Sequence, residues 1–287
     1  MQRYIEAVEK SHTDKMRFKS FQLRWFKPGS IAVMIGKKGT GKSTMMLDLC
    51  HAIRHCPEVV LFQKTIETND MFKGVVPELF SFKIWDRKLV QKIIDRHIRQ
   101  NKKRMKAGKP VKYLTMIIDD QAGDEKFCKD PLLSDLFFNV RHYKLNIIFT
   151  MQYSLKIHID QRAQIDYVFM MRENIIGNRE RLMQHYCGQF GSGKKGYADF
   201  SKVFDKFTEK IGGCMVVKNS GISNDITKNV FYYQSVMRNF NEDPSLPRWR
   251  MGSRAYWAFN NRFYDPHWDS SEEEISDEIV IERTGKK

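Results

Sequence analysis

Eight consecutive residues constrain this chain more than any others: Gly36-Lys37-Lys38-Gly39-Thr40-Gly41-Lys42-Ser43. They fit the pattern GxxxxGK[ST], directly after the apolar run Ile31–Ile35 and just before a helical segment, and that strand–loop–helix context gives the pattern its meaning. Glycines at this spacing let backbone N–H groups curl around phosphate oxygens, and the N-terminus of the following helix adds positive potential. Lys42 then faces the β- and γ-phosphates of ATP, the Ser43 hydroxyl becomes a ligand of Mg²⁺, and Gly36 through Thr44 form the expected nucleotide-binding stretch. A near copy, Gly188-Gln189-Phe190-Gly191-Ser192-Gly193-Lys194-Lys195, has lysine where the metal-binding hydroxyl must stand and follows a helix-like segment rather than a strand. It reads as a mobile basic loop that either touches DNA or is plain surface.

A phosphate loop of this kind needs a sheet to carry it. Short apolar, β-branched runs alternate with amphipathic stretches, the pattern of a mostly parallel sheet flanked by helices. Strands are expected at Ile31–Ile35, Val59–Gln63, Leu114–Asp119, Asn146–Met151 and Tyr167–Met171, each ending near the ligand, because open α/β sheets bind beyond the carboxyl ends of their strands. The run Tyr113-Leu114-Thr115-Met116-Ile117-Ile118-Asp119-Asp120 ends in two carboxylates about 80 residues after the loop. Asp119 is read as the Mg²⁺ ligand, directly or through water, and Asp120 as the general base that polarises the attacking water. Gln152 ends the next apolar run, where its amide can hydrogen-bond the γ-phosphate or that water. An acid after the metal ligand and a polar residue ending the next strand suggest a RecA-like α/β fold, with the Gln152 strand between the two motif strands. Further on, Arg179–Cys187 and Ala198–Phe207 read as helices. Cys214–Lys218 and Val230–Gln234 read as strands that either close the sheet or form a small lobe.

Between these motifs Asp130 and Pro131 are an N-cap and a first helical residue, followed by an apolar stripe of Leu132, Leu133, Leu136, Phe137 and Val140, with the helix ending at Arg141 and His142. Arg141 either complements the helix dipole or reaches a neighbouring subunit's ATP as an arginine finger, with Arg162 the next candidate; the residues leave both roles open.

Charge identifies a partner class. The chain carries +15, yet Asp269–Lys287 holds seven acidic against three basic residues, a balance of −4 that leaves +19 on residues 1–268. Such an excess suggests a polyanion. It is densest between Lys83 and Lys112, where twelve lysines and arginines face only Asp86 and Asp95. Lys88, Lys92, Arg96, Arg99 and Lys103 recur at helical spacing opposite a stripe of Leu89, Ile93, Ile94 and Ile98. A solvated helix face is the plain alternative, but acids are too few for self-paired salt bridges, so contact with phosphate backbones is favoured.

No run approaches the roughly 18 apolar residues of a membrane span, and MQRYIEAVEK lacks the apolar core of a secretory signal, so a cell interior without membrane association is expected. Five scattered cysteines fit reduced thiols. The Cys50, His51, His55, Cys56 cluster falls on the helix expected after the loop, which disfavours a metal site there. The chain divides into an N-terminal segment (1–30), an ATPase domain (31–235), a C-terminal extension (236–268) and an acidic tail (269–287) expected to be disordered.

The motifs GKKGTGKST and YLTMIIDD, and especially DPLLSDLFFNVRHYKLNIIFTMQY followed by RAQIDYVFMMRE, resemble the DNA-packaging ATPases of large nucleocytoplasmic DNA viruses, the poxvirus-type branch of the FtsK–HerA superfamily. The resemblance spans about Ile31 to Glu173. It implies a RecA-like P-loop NTPase that assembles into a homo-oligomeric ring and drives double-stranded DNA into a capsid, with a capsid or portal-vertex protein as partner. Host cytoplasm at the assembly site, and the virion, are the implied locations. It also implies that Lys42 and Ser43 contact nucleotide and metal, that Asp119 ligates Mg²⁺, that Asp120 is the catalytic carboxylate and that Gln152 is the sensor. Cellular FtsK and HerA proteins usually carry glutamate at the Asp120 position, a departure that points to the viral branch. The rival readings are a cellular or plasmid DNA-pumping ATPase of the FtsK–HerA type, a small-molecule P-loop kinase, and a DNA-binding protein that uses ATP as a switch.

Overall fold

The computed structural model describes residues 4–10, 14–66, 69–121, 125–152, 157–221, 223 and 225–265; the acidic tail expected at 269–287 lies outside them. Its elements in chain order are β1 (Tyr4–Lys10), β2 (Asp14–Lys19), β3 (Ile31–Ile35), α1 (Lys42–Ala52), β4 (Glu58–Gln63), β5 (Ser81–Phe82), α2 (Arg87–Lys106) and β6 (Leu114–Asp119). Then come α3 (Glu125–Cys128), α4 (Pro131–Asn139), β7 (Leu145–Met151), α5 (Ile159–Ala163), β8 (Tyr167–Met170) and α6 (Ile176–Tyr186). The last are α7 (Gly193–Phe207), β9 (Gly213–Lys218), α8 (Ile226–Asn229), β10 (Val230–Gln234) and α9 (Arg254–Phe263).

Eight strands form one sheet in the order β10-β9-β8-β3-β7-β6-β4-β5. The six from β5 to β8 run parallel, and β9 and β10 extend the β8 edge antiparallel. The two late strand runs therefore lengthen the sheet rather than build a lobe. β7 lies between β3 and β6, so the expected placement of the Gln152 strand is what the fold has. The central strands read as continuous apolar runs because both of their faces are covered. Along β3 the side chains alternate: Ile31, Val33 and Ile35 join the core under α2, α4, α6 and α7, while Ala32 and Met34 join the core under α1.

Several boundaries moved for physical reasons. Asp86 caps α2 by accepting from the Leu89 amide at 2.6 Å, and the helix buries Val90, Ile94, His97 and Asn101. The apolar stripe expected at Leu89, Ile93, Ile94 and Ile98 is thus rotated: only Ile94 is buried, and Leu89, Ile93 and Ile98 flank it. Two polar residues sit in that stripe because His97 pairs with Glu58 at 3.0 Å and Asn101 is bonded to both His97 and the Lys112 backbone. α4 has its Asp130 cap but stops at Asn139, so Arg141 and His142 stand in the turn that leads through left-handed Lys144 into β7. α6 runs Ile176–Tyr186, starting three residues before Arg179. α7 starts at Gly193, five residues before Ala198, and so absorbs Lys194 and Lys195 into its first turn. Gly196 within that helix is a packing device, since a Cβ there would lie 2.5 Å from the Gly191 carbonyl oxygen.

The first and last described segments are tied to the sheet and to the loops beside it. β1 and β2 form a hairpin, Phe18 packs edge-on against Phe207, and the Phe21 amide donates to the Tyr232 carbonyl. At the other end, Met251, Gly252 and Ser253 donate backbone bonds to Val75, Cys56 and Pro57, and Tyr256 of α9 stacks on Phe80 at 4.0 Å. All five cysteines are buried free thiols.

Candidate active site

The phosphate loop joins β3 to α1, and its shape follows from two glycines. Gly39 and Gly41 both hold left-handed backbone, with φ of +79° and +95°, which disfavours any side chain. Gly41 is further confined, because a Cβ there would lie 2.6 Å from the Gly212 backbone. That neighbour is bonded to the loop: the Gly212 amide donates to the Thr40 carbonyl at 3.1 Å. The first amides of α1 have no partners within the helix and point into the loop's concavity. Lys42 folds back, its Nζ donating to the carbonyls of Gly36 (2.5 Å) and Lys37 (2.8 Å). Burial lowers its pKa, while Asp119 and Asp120 act in the opposite direction. Lys37 turns away to pair with buried Glu173 at 2.7 Å.

α1 itself is anchored. Buried Asp48, one turn and a half into the helix, accepts from the Tyr233 hydroxyl (2.7 Å), the Val236 amide (2.8 Å) and Arg238 Nε (3.1 Å). The helix that presents Lys42 and Ser43 is therefore fixed to the end of β10.

The acidic pair faces the loop from the carboxyl end of β6. Burial raises the Asp119 pKa; hydrogen bonds from Thr150 and Gln63 oppose that rise. Asp120 adopts left-handed backbone, φ +53°, a conformation that aspartate tolerates better than most residues and that costs about 1 kcal/mol. Its amide donates to the Thr150 hydroxyl at 3.1 Å, and Gln152 Nε2 donates to its carboxylate at 3.3 Å.

A cleft of about 740 Å³ separates the two halves. Lys38, Gly39, Gly41, Lys42, Ser43 and Thr44 line one side, and Asp119, Asp120 and Gln152 the other. Gly36, Lys37 and Thr40 shape the loop from behind. The cleft is thus assembled from the residues expected at the site, and its lining includes the Ser43 hydroxyl and the Asp119 carboxylate, oxygen donors of the kind a hard cation such as Mg²⁺ takes. The sequence reading missed Thr65, Asn69, Thr150 and Ile211, which also line the cleft, and Gln63 behind Asp119. Thr150 and Gln63 end or nearly end apolar strands, the same signal that marked Gln152.

Other expected residues lie elsewhere. Arg141 stands at the opposite end of the strands, where β8 begins, and donates to buried Asp166 at 2.8 Å. Asp166 also accepts from the Ile31 amide at 3.0 Å. Arg141 therefore has no place in the cleft of its own chain. Lys88, Lys92, Arg96, Arg99 and Lys103 are all exposed along α2, on the outer face of the helix. The region 188–195, expected as a loop, is a short turn followed by the start of α7. Among the described residues no helix is long and apolar enough to cross a membrane.

The phosphate loop, the acidic strand and the strand between them define a P-loop NTPase fold of RecA-like arrangement. The sequence pattern of one family within this class matches residues 15–239, and the chain belongs to that family, described as poxvirus A32 protein. It is similar to an uncharacterised protein of Acanthamoeba polyphaga mimivirus, 27% identical over 263 residues, or 88% of each chain. A protein of Frog virus 3 (isolate Goorha) is 29% identical over 232 residues, 80% of this chain and 67% of that one. Among solved structures, the genome packaging NTPase B204 from Sulfolobus turreted icosahedral virus 2, in complex with ATP-gammaS, aligns with 74% of this chain over its whole length. The TM-score is 0.49 and the identity 15%.

Proposed function

We propose that this chain hydrolyses Mg-ATP to drive double-stranded DNA into a viral capsid, acting as a homo-oligomeric ring with a capsid or portal-vertex protein as its docking partner. The observation that carries the reading is the single cleft in which Lys42 and the α1 N-terminus face Asp119, Asp120 and Gln152. Family membership and the sequence resemblance support the packaging role, and the exposed basic face of α2 supports a phosphate-backbone partner.

The roles follow from the chemistry of the residues. Phosphate oxygens replace the two carbonyls that Lys42 now contacts, and the loop amides receive the remaining phosphate charge. Ser43 and Asp119 would hold Mg²⁺, which would supply positive charge beside the β- and γ-phosphates. Asp120 accepts a proton from the attacking water, and its bond to Gln152 lets that amide register whether a γ-phosphate is present. Aspartate is one methylene shorter than the glutamate usual in cellular relatives, and the left-handed turn at Asp120 sets the direction of its carboxylate.

ATP turnover measured with duplex DNA, with single-stranded DNA and with neither tests the proposal. Duplex should stimulate it most. Turnover indifferent to DNA, transfer of phosphate to a small acceptor, or nucleotide binding without turnover would overturn the motor reading.

A further inference from the structure

Asp119 is gripped from both sides by residues outside the phosphate loop and the acidic motif. The parallel register of β4 and β6 sets Gln63 opposite Asp119, and Gln63 Nε2 donates to Asp119 Oδ2 at 3.0 Å. From β7, the Thr150 hydroxyl donates to Asp119 Oδ1 at 2.6 Å and accepts from the Asp120 amide at 3.1 Å. Both side chains are buried, at 0% and 1% exposure. One hydroxyl thus fixes the carboxylate of Asp119 and the turn that aims Asp120.

Gln63 carries a second message. Its Oε1 is buried with no hydrogen-bond partner among the described residues, an arrangement that is unfavourable in itself. Rotating the amide would set its oxygen against the carboxylate and leave the NH₂ without that acceptor. An apolar residue of similar shape would avoid the orphan altogether. Among the described residues, the bond to Asp119 is the side-chain contact that accounts for an amide at this position.

We propose that Gln63 and Thr150 are positioning residues that clamp the Asp119 carboxylate in the orientation in which it takes up the metal accompanying the nucleotide. Each carboxylate oxygen is held by one donor and keeps a lone pair for the cation. The inference rests on the Mg-ATP reading of the cleft. Residues that hydrogen-bond a metal's ligands typically change metal affinity by about 10–100-fold when removed.

The test is binding of a fluorescent ATP analogue to the full chain, titrated with Mg²⁺ and repeated in EDTA. Gln63→Met and Thr150→Val, both close in shape to the native residue, should each raise the half-saturating Mg²⁺ concentration by roughly 10-fold or more. Affinity in EDTA should stay near that of the wild type, and Thr150→Ser should restore the wild-type Mg²⁺ requirement. Gln63→Glu keeps the shape but sets a second carboxylate against the first, so it should shift the requirement the same way. An unchanged Mg²⁺ requirement in folded variants, or an equal loss of affinity with and without Mg²⁺, overturns the clamp. If the wild type itself binds nucleotide independently of Mg²⁺, the metal reading of the cleft fails first and the clamp falls with it.

Discussion

Two alanine substitutions in the phosphate loop should separate stability from nucleotide binding. Gly39 and Gly41 share left-handed backbone, so alanine at either costs roughly 1–2 kcal/mol in conformational strain. Their surroundings differ: a Cβ at position 39 meets nothing within 4 Å, whereas one at position 41 lies 2.6 Å from both Cα and N of Gly212. Carbon atoms prefer separations of about 3.5–4.0 Å, so the Gly212 turn must retreat. That overpacking adds about 1–3 kcal/mol, and loss of the bond from Gly212 to Thr40 adds about 1 kcal/mol more. Gly41→Ala should therefore be less stable than Gly39→Ala by about 2–4 kcal/mol, summing those two terms. Urea unfolding of the two variants without nucleotide gives the difference. The methyl group of Gly39→Ala points into the open cleft, so that variant should stay well folded and lose affinity for ATP. Equal stability of the two, or a less stable Gly39→Ala, would refute the reasoning that Gly212 closes on the loop.

Lys42→Ala should abolish hydrolysis and weaken ATP binding, while Asp120→Asn should still bind Mg-ATP but fail to cleave it; equal loss of binding in both would refute the separate roles. Replacing Lys92, Arg96, Arg99 and Lys103 together with glutamine should weaken duplex binding for every sequence and flatten its logarithmic salt slope by up to about 3.6, at roughly 0.9 per phosphate contact. An unchanged slope in a folded variant would leave α2 a solvated surface. Arg141→Ala removes an exposed partner from buried Asp166, and a loss of about 1 kcal/mol in urea unfolding is expected from that ion pair. If Arg141 also completes a neighbour's site, hydrolysis falls by about 10³-fold, and mixing this variant with Lys42→Ala should restore activity; no recovery in demonstrably mixed oligomers confines Arg141 to its pair with Asp166.

The parts of this molecule that sequence reasoning reached are those governed by neighbours in the chain. Ile31–Ile35, Leu114–Asp119 and Val230–Gln234 are strands with the expected bounds, because short runs rich in β-branched and aromatic residues bounded by polar ones mark strands whether both faces are covered or one is half-exposed. The loop, the acidic pair and Gln152 were readable because their spacing from a strand end fixes where they point. Contacts set by register were not readable. Gln63 meets Asp119 only because β4 pairs with β6, and Gly212 meets Gly41 only because β9 joins the β8 edge. The buried stripe of α2 is not legible from hydropathy, because His97 and Asn101 are buried through their bonds to Glu58 and Lys112. Glycines hid the start of α7 for a similar reason: backbone-to-backbone packing at Gly196 has no signature in hydropathy.

The anchoring of α1 gives the molecule a temporal order as well as a spatial one. The loop residues are synthesised well before the groups that fix their helix, since Tyr233, Val236 and Arg238 follow Asp48 by 185 to 190 positions. A nascent chain halted after β8 carries the entire GxxxxGKS pattern with neither Gly212 against its loop nor a partner for buried Asp48. The packing that fixes the loop and its helix therefore forms only once β9, β10 and Arg238 are in place.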